Sequence, residues 1–75
     1  MNTQAMLSIL EDMKNSSLNN DELEAIEDIE YAVSLGSGVA LRQHFNSWSD
    51  DFYPTDKYQQ MIRTVEIKFI EEGLL

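Results

Sequence analysis

The chain contains no cysteine, one histidine and one proline. Without cysteine there can be neither a disulfide scaffold nor a thiolate metal site, and the composition suits a reducing cytoplasm. His44 has no HxxxH or HExxH companion, and the acidic stretch Asp50–Asp56 lacks both the D-x-D-x-D-G spacing and the distal Glu of a calcium loop. No metal or other cofactor is therefore expected. Nucleophilic catalysis lacks raw material as well, since a lone imidazole has no cysteine or GxSxG serine to serve. The glycines of Leu35-Gly36-Ser37-Gly38 do not form a phosphate-cradling loop. The many carboxylates read as lying on exposed helix, where burial does not tune a pKa for acid–base work. This inventory argues against an enzyme.

Long hydrophobic runs are absent too. Nothing approaches the roughly 18–20 apolar residues of a membrane span. The stretch Met1–Asn15 has neither the basic start nor the apolar centre of a secretory signal. A cytoplasmic protein that does not engage membranes is the expectation. Bases are scarce: five Lys and Arg stand against fourteen Asp and Glu, for a formal charge of −9. Binding to nucleic acid draws on Lys and Arg displacing counterions from phosphates, so direct nucleic-acid binding is disfavoured and a basic protein is the natural partner.

What the chain does contain is helical periodicity. Its 75 residues are 43% hydrophobic, enough for one small core, and a single helical domain over residues 1–75 is expected. Helices are predicted at about 3–14, 20–35, 38–48 and 55–72. In the first, Met6, Leu7, Leu10 and Met13 recur at helix spacing behind Thr3 as N-cap. The second has a capping box, Asn19 with Glu22, a hydrophobic staple of Leu18 and Leu23, and Gly36 as its left-handed terminator. Its inner face reads Leu23, Ile26, Ile29 and Val33, with Ala25 and Ala32 at the edges. The third carries Leu41, Phe45 and Trp48, with Val39 nearby. The fourth follows Pro54, with Thr55 as N-cap and Tyr58, Met61, Ile62, Val65 and Phe69 on one side. Its other side offers Ile67, Ile70 and Leu74. The fold class is all-α, a compact bundle of four short helices, with a three-helix core plus a short aromatic helix as the close variant.

Six acids, Asp21, Glu22, Glu24, Glu27, Asp28 and Glu30, occur between Lys14 and Arg42 without one Lys or Arg. Carboxylates at i, i+3 and i, i+4 repel by a few tenths of a kcal/mol each, and a helix shaped for solubility alone would interleave bases. Asp21 and Glu22 have a local reason to be there, because they complement the helix N-terminus. The plain reading of the rest is a solvated face; the sharper one is an anionic ridge that docks on a basic surface. In the loop Asn46–Asp56, Trp48 and Phe52 read as core. Tyr53 with Asp50 and Asp51 composes an aromatic anchor among acids. A helix-turn-helix formed by the second and third segments would offer Arg42, Gln43 and Asn46 to bases. Its first helix, however, carries the uncompensated acids, and that excludes an isolated DNA reader.

The expected function is that of a small acidic binding protein. It would inhibit or modulate a basic, nucleic-acid-processing protein, in the sharpest version as a DNA-mimic decoy. The expected contact residues are Asp21, Glu24, Glu27, Asp28, Glu30, Asp50, Asp51 and Tyr53. In size and charge the chain is comparable with nuclease immunity proteins and phage-encoded DNA mimics, a likeness of class that no motif carries. The alternative is a homo-oligomeric helical module, such as a homodimer, with Ile67, Ile70 and Leu74 at the interface.

Overall fold

The structure is a computed structural model and describes residues 1–48 and 56–75. Four helices make up the fold, with no strand among the described residues: α1 Thr3–Lys14, α2 Asn20–Ser34, α3 Gly38–Trp48 and α4 Lys57–Glu71. The positions of Asp50, Asp51, Phe52, Tyr53, Pro54 and Thr55 lie outside the described residues.

Each helix begins where a short polar side chain can take up a free N–H. For α1 that residue is Asn2 and not Thr3: Asn2 Oδ1 accepts from the Ala5 N–H at 3.1 Å, and Thr3 is already helical. The predicted capping box of α2 is present in both directions. The Glu22 N–H donates to Asn19 Oδ1 at 2.8 Å, and the Asn19 N–H donates to Glu22 Oε1 at 3.0 Å. Ser37 Oγ accepts from the Ala40 N–H at the start of α3. For α4 the cap is Asp56 and not Thr55. Asp56 sits in extended backbone and accepts from the Gln59 N–H at 2.7 Å, and its full negative charge suits the positive helix pole better than a hydroxyl.

Termination is equally local. Gly36, at φ +75°, closes α2, and its N–H donates to the Val33 carbonyl. Gly73, at φ +72°, closes α4 with a full Schellman pair: Leu74 N–H to Phe69 O at 2.8 Å and Gly73 N–H to Ile70 O at 3.0 Å. This reversal corrects the expectation for Leu74. It does not continue the outer side of α4 beside Ile67 and Ile70; it turns back and packs against the core.

The core draws on all four helices. Met6 and Leu10 come from α1, Ile26, Ile29 and Val33 from α2, Leu41 and Phe45 from α3, and Met61, Ile62, Val65 and Phe69 from α4. Because Leu41 and Phe45 are fully buried, α3 is a full member of the bundle and not a short helix laid across three others. The ring of Phe45 meets Phe69 edge to face at 6.1 Å, fixing α3 on α4, and meets Trp48 of its own helix at 5.6 Å. Among the described residues no polar or charged side chain is fully buried.

Helix α2 is central, packing against α4, α1 and α3. Ala25 and Ala32, expected at the edges of its apolar face, are wholly buried. They stand three residues before and four after Asp28, whose carboxylate reaches α4, so this small-residue side faces α4 and permits close approach. Leu23 departs in the other direction: it is 37% exposed and takes no part in the core, while Leu18, expected as its staple partner, packs against the core.

Candidate functional site

With Ile26, Ile29 and Val33 turned inward, helix geometry sends Glu24, Glu27 and Tyr31 to the opposite side of α2. Asp21, Glu24 and Glu27 are exposed, and each lies one turn from the next. The expected six-acid ridge therefore narrows. Glu22 completes the capping box. Asp28 is half-buried, and its Oδ2 accepts the Tyr58 hydroxyl of α4 at 2.5 Å. Glu30 is half-buried and pairs with Lys14 of α1 at 2.5 Å.

The two engaged carboxylates bear on their partners. Burial pushes the Tyr58 phenol well above its ordinary range, and the hydrogen bond to Asp28 and the negative charges of Asp28 and Glu24 add to this. The Lys14 ammonium is held above its ordinary value chiefly by the bond to Glu30, against the opposing pull of burial, with Glu11 and Glu27 adding field. Asp28 and Glu30 thus connect α2 to two of its three neighbours, α4 and α1. Both have a tertiary role that sequence spacing does not reveal.

The outer acids have no counterpart on their own helix. α2 contains no Lys or Arg at all, so nothing basic in its last turn offsets the negative pole there. Within this acidic face stands Tyr31, 68% exposed, four residues after Glu27 and three after Asp28. Sequence reasoning places the aromatic anchor at Tyr53, beside Asp50 and Asp51, all outside the described residues, and passes over Tyr31. The signal is nonetheless in the sequence: projecting residue 31 against the apolar stripe puts it opposite the core. It is hidden because Tyr is read as a core former by default.

The other candidates fall elsewhere. Ile67 and Ile70, 49% and 55% exposed, lie on the outside of α4 and line separate surface hollows. Ile67 belongs to a hollow of about 430 Å³ with Met13, Thr64, Lys68 and Glu71, and Ile70 to one of about 320 Å³ with Arg42, Phe45 and Glu66. His44 stacks on Trp48 at 5.2 Å, which gives it a packing role on α3. No group of three or more His, Asp or Glu side chains that could hold a metal ion occurs among the described residues. No helix among them is long and apolar enough to cross a membrane. No protein-family model, curated protein or solved structure matches the chain.

Proposed function

We propose that this chain is a small acidic binding protein without catalytic activity that docks on the basic surface of another protein, as an inhibitor or modulator. The observation that carries this reading is the exposed row Asp21, Glu24 and Glu27 on a helix that has no base of its own. Like charges one turn apart cost helix stability, so the arrangement is unfavourable in the isolated chain and becomes favourable against a cationic partner. A nucleic-acid-processing protein offers such a surface. A row of carboxylates 5–6 Å apart at Cβ, on the order expected for helix neighbours, is commensurate with a strand of phosphates. The decoy version rests on a short ridge, since Asp28 and Glu30 are occupied within the fold.

The test is capture of a basic protein on the immobilised chain at low and high salt, beside the triple variant Asp21→Lys, Glu24→Lys, Glu27→Lys. Retention should fall with salt and be lost in the variant. Equal retention by the variant would reduce the acidic face to a solvated one. A second reading, a homodimer through α4, is favoured by the half-exposed pair Ile67 and Ile70. Sedimentation at high micromolar concentration tests it, and a strict monomer would remove it.

A further inference from the structure

Four large apolar side chains stay in water around one corner of the molecule. Tyr31, in the last turn of α2, and Leu35, its C-cap residue, lie four residues apart, Leu35 being 52% exposed. Two glycines later Val39, in the first turn of α3, is 70% exposed. Met1 is half-exposed and rests against Gly38, with its Cβ 3.9 Å from where a side chain there would begin. The connecting turn adds little bulk: Gly36 has no side chain, nothing lies within 4 Å of where one would start, and the Ser37 hydroxyl is taken up as the cap of α3. These apolar groups therefore stand proud of a thin turn. A surface that contacted its partner through charge alone would have no use for them.

The electrostatic setting selects the occupant. The corner sits at the C-terminal, negative pole of α2, whose last turn carries no base. Towards the N-terminus it runs directly into Asp28, Glu27 and Glu24. Arg42 lies three residues after Val39, so the anionic flank is on the α2 side only. A second copy would bring one chain of charge −9 against another, with the same acidic face meeting itself across a two-fold axis. An anionic lipid surface meets the same repulsion.

We infer that the corner formed by Tyr31, Leu35 and Val39 is the apolar anchor of the docking surface, and that it receives a cationic amphipathic helix of the partner protein. Apolar side chains of that helix pack on Tyr31 and Leu35, while its Lys and Arg reach Glu27 and Glu24. This rests on the acidic-face reading and specifies the partner: an amphipathic basic segment rather than a uniformly cationic groove. The charges steer association and the corner sets residence, because apolar contacts at the centre of an interface act mainly on dissociation.

The experiment uses the full chain, labelled with nitrogen-15, and two synthetic peptides of equal length and charge. One has Leu and Lys at amphipathic helix spacing; the other has Gln in place of every Leu. The Leu/Lys peptide should bind about tenfold more tightly, with amide shifts centred on residues 31, 35 and 39. The variant Tyr31→Ser, Leu35→Ser should abolish that margin and leave binding of the Gln/Lys peptide unchanged. Equal affinity for the two peptides, or a margin that survives in the variant, overturns the anchor and leaves the acidic-face reading standing. Binding of neither peptide, or of both undiminished after Glu24→Lys, Glu27→Lys, overturns the acidic-face reading and the anchor with it. Concentration-dependent shifts at residues 31, 35 and 39 without peptide would assign the corner to a second copy and overturn the inference.

Discussion

Helices α2 and α4 are both 15 residues long, begin at an Asn or Asp cap, end at a left-handed glycine, and pack against each other through buried apolar stripes. On their solvent sides they part company. α4 interleaves Lys57, Arg63 and Lys68 with Glu66 and Glu71, and Lys68 pairs with Glu72 at i, i+4. α2 sets six acids against no base. Three of the six serve the fold, Glu22 in the cap and Asp28 and Glu30 in the contacts with α4 and α1. The exposed row Asp21, Glu24 and Glu27 is not something the bundle demands, and that is where function can be sought.

The shared inner sides are the first thing to break. Phe69→Ala should remove about 3–5 kcal/mol, and Ile29→Ala about 2–5 kcal/mol, since both side chains are fully buried in a core with little freedom to collapse. A domain this small has about 3–5 kcal/mol in total, so urea melts should show Phe69→Ala largely unfolded in buffer. If either truncation proves mild, the two helices do not share one core.

The joint between the helices comes next. Tyr58→Phe removes the hydrogen bond to Asp28 and should cost about 1–2 kcal/mol near neutral pH, leaving a half-buried carboxylate with one partner fewer. It should also change the alkaline limb. The folded phenol holds its proton above the ordinary tyrosine value, so the unfolded chain ionises first. This contribution is fully present below about pH 10 and is lost as pH rises beyond it. Melts from pH 8 upward should therefore show a decline in the wild type that is shallower in Tyr58→Phe. Equal slopes would mean that the phenol gains nothing from its place between α2 and α4.

How far these features are legible in the sequence depends on how local their causes are. The α2 capping box, the terminating Gly36 and the stripes of α3 and α4 follow from residues three or four apart, and they stand where periodicity puts them. The starts of α1 and α4 are shifted because adjacent candidates compete: Asn2 beside Thr3, Asp56 beside Thr55. In both cases the side chain that can accept more strongly takes the free N–H. Leu74 misleads because a Schellman reversal cancels the helical phase on which its outward position depends. Asp28 and Glu30 mislead for another reason. Their partners Tyr58 and Lys14 are on other helices, and no spacing within α2 announces them. Of the candidate site, the charge is read directly from composition, whereas Tyr31 is read only indirectly, by projecting it against the stripe that α2 buries on its far side.

The smallest effects in this series separate the outer faces most sharply. The N-caps come first: Asn19→Ala and Asp56→Ala should each cost about 1 kcal/mol, showing that the two helices start on equal terms. Glu24→Lys and Glu27→Lys should behave oppositely. Glu24→Lys removes like-charge contacts with Asp21, Glu27 and Asp28 and should add a few tenths of a kcal/mol to stability; Glu27→Lys removes those with Glu24 and Glu30 but turns its attraction for Lys14 into repulsion, so its gain should be smaller. Both side chains are exposed, which keeps the gain small and lets added salt erase it. The control is Glu66→Lys on α4, where bases are already interleaved and no comparable gain is expected. A chain that folds better without Glu24 and Glu27, yet loses salt-sensitive retention of a basic protein, would hold those acids for binding at a cost in stability. If the reversals destabilise α2, the acids belong to the fold after all, and the contrast between the two helices loses its functional meaning.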